Sequence, residues 1–575
     1  MPFPSRRPFP FALLPGLAWA FTAAMLLAER WQELSVRLFD ADDAMRLVQV
    51  REFIAGHGWF DLHEARLDPP AGYDTHWSRL IDGGLAALFW IARWFTDADL
   101  AERLMRAVWP LLWLLVAMAS VAAFAWRIGG RRAAVLALVI AAVAEPAFQH
   151  FRLGRIDHHN VQIALALAVV AAAAWSDRAR YAAALTGVLT GLALSIGLEN
   201  LLFVALAGAA MVLNFVIDSR GEDASAKRGG EPLSHYGVAL ALSTGVGFLL
   251  GVRPEAWTRV ACDAIAINWL LPALIAGIGF WSAGKKFADA PFSKRIAAVC
   301  IVGAIALAAW LIAEPRCIAG PFALTDNTVR TIWLHGVDET ASLWTSVRGF
   351  PLLAVWMCAF PLIAFIAAAV LMQSRDMRRD AGFWIALAAL VIAILTTLAA
   401  VKIYAYAIWF GLPLVAVAAS RVAMADGLRA WIVRLAVVFM LTPTVATGAI
   451  AAILIVHAAV GDDPIRPGMA ERTNCSRNDA YASLAKLSPG LVAADVNYGP
   501  YVLALTPHRV LAAPYHRIRD GIISADAILN GSADKARATA AQAKVDYIAI
   551  CGAISSTGDL PPAGSLWAQL SANNV

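Results

Sequence analysis

The sequence predicts a polytopic α-helical membrane protein of about thirteen transmembrane helices, followed by a small external α/β domain at the C-terminal end. Three observations carry that expectation. Of 575 residues, 60% are hydrophobic and only 15% charged, and the mean hydropathy is +0.63, outside the range of soluble domains. Apolar runs long enough to cross a bilayer recur between residues 11 and 457. From residue 458 onward the character changes, with Pro464, Pro467, Gly468, a polar run and strand-like stretches such as Val545-Asp546-Tyr547-Ile548-Ala549-Ile550. The net charge of +5 matters through where the Lys and Arg lie, and they are scattered between apolar runs rather than gathered into a patch for nucleic acid.

Taken in order, Arg6 and Arg7 precede the first run, residues 11–29, so the N-terminus is expected in the cytoplasm and the run is a retained anchor with no small-residue cleavage site behind it. The next loop, residues 30–79, is then external. Counting residues 80–96 as a span would put Arg127, Arg131 and Arg132 outside and invert every later loop, so that segment is read as an interfacial or re-entrant helix and 107–126 as the second span. The clusters Arg178/Arg180, Lys285/Lys286/Lys294/Arg295, Arg375/Arg378/Arg379 and Arg421/Arg429/Arg434 then all fall inside. The remaining spans are expected at 133–149, 161–175, 181–197, 200–217, 236–251, 265–281, 296–313, 351–372, 383–400, 403–419 and 435–457. An odd number of spans leaves residues 458–575 outside as a separate domain, with 1–457 forming the membrane domain.

Three loops on that outer side carry polar chemistry beyond what a connection needs. The first holds Asp40, Asp42, Asp43, Arg46, Arg51, His57, His63, Asp74 and His76, and is too long for a turn. The second is Arg152–Asn160, with Gly154-Arg155-Ile156-Asp157-His158-His159. The third, residues 314–350, contains Asp326, Arg330, His335, Asp338 and Glu339. Oxygen and imidazole donors gathered at a membrane face suit a divalent cation, Mg²⁺ or Mn²⁺, with an anionic ligand. Asp40, Asp42 and Asp43 also suit the start of a helix, and Glu339 alone reads as a solvated carboxylate. His158 and His159 point different ways on a regular element, so one is expected at the metal and the other in packing or a hydrogen bond.

Lys402, between two apolar runs at the outer edge, either snorkels to headgroups or holds a phosphate. Glu199, in Gly197-Leu198-Glu199-Asn200, is either near the site or a partner of Arg152 or Arg155. Cys475 and Cys551, alone in the external domain, form a candidate disulfide, and Cys262 and Cys317 lie at outer loop ends. Cys300 and Cys358 lie within spans as packing residues.

This arrangement resembles the catalytic subunit of oligosaccharyltransferase in its bacterial and archaeal forms, a member of the GT-C glycosyltransferases. The resemblance covers the whole topology but rests in sequence on short segments. Asp42 or Asp43 in Asp42-Asp43-Ala44-Met45-Arg46 is similar to the family's first-loop catalytic and metal-binding Asp. Asp157 and His159 resemble its second, metal-binding motif. Glu339 in Gly336-Val337-Asp338-Glu339 resembles the later-loop Glu that reaches toward metal and acceptor. Lys402 falls where the family places a basic residue on the donor phosphate, with His158 a second phosphate candidate. Asp495-Val496-Asn497-Tyr498-Gly499 sits like the family's sequon-reading signature, with Tyr498 an acceptor-side candidate. Both tryptophans of that signature are absent and Asn497 replaces its Asp, which points away from the standard N-glycosylation sequon.

The resemblance implies a GT-C fold in a bacterial inner membrane with the C-terminal domain periplasmic. It implies transfer of a sugar or glycan, of hexosyl or pentosyl class, from a polyprenyl-phosphate or pyrophosphate donor to a lipid, glycan or protein acceptor. Arg46, Arg51, His57, His76, Trp77 and Arg79 are then candidates for sugar or phosphate contact. A transporter or lipid flippase is the alternative, although no internal repeat is visible and the polar groups gather at one face. A noncatalytic relative is the other.

Overall fold

The computed structural model describes residues 13–217, 230–334, 337, 340–349, 351–421, 474–552 and 560–572, with scattered residues between 429 and 452. Helices occupy each of the first twelve expected spans, while most of 435–457 lies outside the described residues. Seven helices among the described residues are both long and apolar enough to cross a bilayer, and His159–Trp175 and Ala182–Ile196 are shorter apolar helices beside them. The chain is a multi-pass membrane protein.

Two expected boundaries differ. The spans at 107–126 and 133–149 lie on one element, Ala98–Ala142, whose two helices meet at a kink where Gly130 takes φ +76°, a left-handed conformation that glycine adopts without a steric penalty. Its second part ends at Ala142 rather than near 149. Pro146, which has no N–H to donate, opens a separate 3₁₀ turn over Glu145–Phe151. At the kink Arg127 is buried and bonds Asp177 and Asp380, each at 2.7 Å, tying three helix ends together.

Residues 80–96 fall largely on the helix Arg79–Arg93, which at 15 residues is about 22 Å long and short for a 30 Å core. Its Ile81, Leu85 and Phe89 are buried, whereas Trp90 and the following Trp94 and Phe95 are exposed, the pattern of a helix lying at an aromatic-rich interface.

The C-terminal domain is built on three parallel strands in the order Arg509–Val510, Leu491–Ala494, Tyr547–Ala549. Parallel neighbours need crossover connections, supplied here by the helices Gly499–Leu505, Arg519–Leu529 and Ala533–Ala543. Val492, Val510, Ile522 and Ile528 form its core. The segment between helices Ala41–Ile54 and Arg79–Arg93 joins the edge of this sheet, with Leu67 bridging Val510 and Arg66 receiving the Val510 N–H at 2.8 Å on its carbonyl. Helix Gly499–Leu505 packs on helix Ala41–Ile54, and Arg51 reaches the Ala504 carbonyl at 2.7 Å. Disulfides join Cys475 to Cys551 and Cys262 to Cys317.

Candidate functional site

Between the membrane domain and the C-terminal domain lies a cavity of about 1510 Å³, larger than the usual small-ligand site. Four segments that are far apart in sequence build the part of its wall that carries the acidic and imidazole groups expected at a metal.

The first is the start of helix Ala41–Ile54. Asp40 is its N-cap, its carboxylate accepting the Asp43 N–H at 2.9 Å, so capping is the role of Asp40. With the helix phase set, successive residues turn about 100° apart, and the two carboxylates separate. Asp42 lines the cavity. Asp43 is fully buried, accepting the Ile156 and Asp157 N–H groups at 2.7 and 3.1 Å.

The second is the loop Gly154–His159. Gly154 has φ +90°, and a Cβ there would stand 2.7 Å from the Phe39 ring, so glycine alone lets the loop lie against the first one. Arg155 bonds Asp40 and Asp157 and lies 3.1 Å from Asp43. Asp157 accepts the His159 N–H at 2.9 Å, starting helix His159–Trp175. Burial would raise the Asp157 carboxyl, but Arg155 and the two adjacent imidazoles hold it well below the usual carboxylate range. Burial, with the charges of Asp40 and Asp157 close by, pushes Asp43 the other way against the pull of Arg155.

The third and fourth are short 3₁₀ turns between apolar helices, Leu198–Asn200 and Val401–Ile403. Glu199 pairs with Lys402, accepts from His159 Nδ1 at 3.2 Å and lies 3.8 Å from His158 Nε2. His158 and His159 therefore converge, contrary to the expectation for a regular element. His158 precedes the helix whose first residue is His159, so their side chains do not follow one helical spacing. Glu199 pairs with neither Arg152, which bonds Glu145, nor Arg155. Beneath it, the Tyr406 hydroxyl donates to Asn200 Oδ1 at 3.2 Å and its ring stacks on Phe203, fixing the turn.

Asn497, Tyr498 and Tyr501 of the C-terminal domain line the same cavity. Arg46, His76 and Trp77 line it too. Arg51 and Arg79 are taken up elsewhere, Arg51 by Glu102 at 2.8 Å and Arg79 by Asp82 at 3.1 Å. His57 lies 3.5 Å from Asp61. Glu339, with His335 and Asp338, lies outside the described residues.

The donor set fits a divalent cation. Ligand atoms of His158, His159 and Glu199 lie within 4.8 Å of one another, as do those of Asp40, Asp43 and Asp157. The hydrogen bond from the His159 N–H to the Asp157 carboxylate joins the two groups, and a protein cation, Lys402 or Arg155, balances the charge of each.

No protein-family model and no curated protein sequence matches the chain. Among solved structures, the archaeal oligosaccharyltransferase AglB from Archaeoglobus fulgidus in its apo form superposes with a TM-score of 0.66 at 15% identity, over 94% of this chain and 69% of that one. Its complex with an inhibitory peptide and a dolichol-phosphate gives 0.65 at 15% identity, over 94% and 69%. Its complex with Zn and sulfate gives 0.61 at 16% identity, over 93% and 67%. The chain has the GT-C fold. The wall from Asp42 to Lys402 comes from the helical part of the chain, and Tyr498 from the part that holds the three-stranded sheet.

Sequence reasoning passed over Asp263 and His516, which also line the cavity. A usable signal was the adjacency of Asp263 to Cys262, since a disulfide anchors the residue beside it.

Proposed function

We propose that the chain is a membrane glycosyltransferase. It moves a sugar or glycan from a polyprenyl-phosphate or pyrophosphate donor to an acceptor on the periplasmic face of a bacterial inner membrane. The observation that carries this reading is that Asp42, His158, His159, Glu199, Lys402 and Tyr498 all line one cavity. The oligosaccharyltransferase structures in complex with an inhibitory peptide and a dolichol-phosphate and tethered with an acceptor peptide support a lipid-linked donor and a separate acceptor.

The leaving group is a prenyl phosphate, whose charge grows as the bond to the anomeric carbon breaks. Lys402, held at the membrane edge, exchanges its pairing with Glu199 for that phosphate, and His158 donates a hydrogen bond beside it. Asp42 accepts the proton of the acceptor hydroxyl, a role worth roughly 10²- to 10⁴-fold for a positioned base. Asp43, engaged by two backbone N–H groups, holds the loops in place. Mg²⁺ or Mn²⁺ is the cation proposed; Asp42, Asp157 and His159, with Glu339, would hold it, and when bound it would supply positive charge to the departing phosphate. Asn497 beside Tyr498, with no tryptophan pair before it, favours an acceptor other than the standard sequon, either a lipid, a growing glycan or another protein site.

The test is incubation of the purified protein with a panel of labelled polyprenyl-phosphate sugars, with and without Mn²⁺, beside Asp157→Ala. Metal-dependent release of sugar that disappears in the variant supports the proposal. Passage of intact donor across proteoliposomes without cleavage would favour a flippase instead.

A further inference from the structure

A second constellation lies on the same cavity and takes no part in the transfer chemistry above. His76 belongs to the first external loop, Asp263 to the segment after helix Glu231–Gly251, and His516 to the C-terminal domain. Ligand atoms of the three lie within 4.8 Å of one another. We propose that His76, Asp263 and His516 form a second cation site, for a transition metal of the zinc class, which clamps the C-terminal domain onto the membrane domain.

The donor chemistry sets the class of ion. Two imidazoles and one carboxylate suit Zn²⁺ or Co²⁺, whereas Mg²⁺ prefers an all-oxygen shell. With metal–ligand bonds of about 2.0–2.2 Å the ligand atoms of a tetrahedral site stand roughly 3.4 Å apart, so His516 Nε2 and Asp263 Oδ2, hydrogen-bonded at 2.8 Å, would open slightly to admit the ion within a group that already lies inside 4.8 Å. The ligands are oriented from behind, as ligands at metal sites are. Arg517 grips the Asp263 carboxylate with Nε at 3.0 Å and Nη2 at 2.8 Å, and the Tyr73 hydroxyl lies 3.3 Å from His76 Nδ1. The Cys262–Cys317 disulfide anchors the residue next to Asp263.

Aromatic rings shield the site. Phe322 meets the His516 ring edge-on at 5.2 Å and Trp333 stacks over it at 6.4 Å. Trp77 stands between this group and the first one, its ring 5.8 Å from His158 and 5.2 Å from Tyr515. An ion here would join three segments that meet only through folding, so its binding energy adds to the closure of the cavity.

The experiment uses the full-length protein in detergent, stripped with chelator, titrated with Zn²⁺ or Co²⁺ and dialysed. Bound Zn²⁺ is read by elemental analysis, the Co²⁺ complex by its visible absorption, and stability by thermal unfolding. One Zn²⁺ retained in Asp157→Ala, and weakened about tenfold or more when His516→Gln or His76→Gln is added to that variant, is the expected result, with Zn²⁺ raising the melting temperature of Asp157→Ala and not of Asp157→Ala/His516→Gln. His76→Gln lies on a different segment and repeats the test should His516→Gln unfold. Unchanged Zn²⁺ in both histidine variants, loss of all Zn²⁺ in Asp157→Ala, or no Zn²⁺ in the wild type would overturn the proposal and leave a hydrogen-bonded clamp of Asp263, His516 and Arg517.

Discussion

Asp43 Oδ2 lies 3.1 Å from Arg155 Nη1 in the seam between the start of helix Ala41–Ile54 and the loop Gly154–His159, and the other Asp43 oxygen receives the Ile156 and Asp157 N–H groups. One buried carboxylate therefore fixes the loop that presents Asp157 and His159. Asp43→Ala would strand two backbone donors and weaken the neutralisation of Arg155, at a cost of at least about 2 kcal/mol. A clearly lowered melting temperature is expected, and one equal to wild type would count against the latch.

Gly154→Ala tests the same seam from the backbone. The substitution places a methyl 2.7 Å from the Phe39 ring at φ +90°, so it is expected to destabilise by about 1–3 kcal/mol. Thermal unfolding checks it, and a neutral outcome would mean that the loop sits differently.

Much of this was legible in the sequence. The apolar runs marked where the helices from Leu14–Arg30 to Tyr404–Ser420 lie, and the run from Gly154 to His159 marked itself by charge in an apolar setting. What one sequence withheld was relative placement. Asp42 and Asp43 differ by one helical step that becomes defined only once Asp40 is seen to cap the helix. Arg155 reads as an ordinary loop cation until Asp40 and Asp43 are brought beside it from more than a hundred residues away. Asp263 and His516, 253 residues apart, share no local pattern. The short reach of the helix after Gly130 was masked because apolar residues continue past Ala142 to Ala144 and resume at Pro146 beyond the single charge of Glu145.

Lys402 and Glu199 form one unit. Lys402→Met leaves the Glu199 carboxylate without its closest cation, and Glu199→Gln removes that penalty, so the double variant is expected to recover part of the stability lost in Lys402→Met. Simple additivity of the melting shifts would argue against the pair. Lys402→Met is also expected to weaken binding of a polyprenyl phosphate about tenfold, read by titration.

Glu52 gives a dependence on pH. Burial, then the neighbouring Glu64, pushes its carboxyl up to about 8. A raised acid contributes stability that is complete below the ordinary carboxylate range and is lost as pH rises through the folded value. The wild type is expected to melt lower at pH 9 than at pH 6, and Glu52→Gln to lose part of that difference. A pH profile unchanged by the substitution would refute it.

The most direct test of the account is the turnover of Asp42→Asn beside wild type, using a labelled polyprenyl-phosphate sugar with its acceptor. Once the donor and acceptor that support turnover are known, unchanged melting and donor binding with a fall in turnover of about a hundredfold or more are expected. Turnover close to wild type in Asp42→Asn would contradict the assignment of Asp42 as the base and, with it, the reading of this wall as the catalytic one.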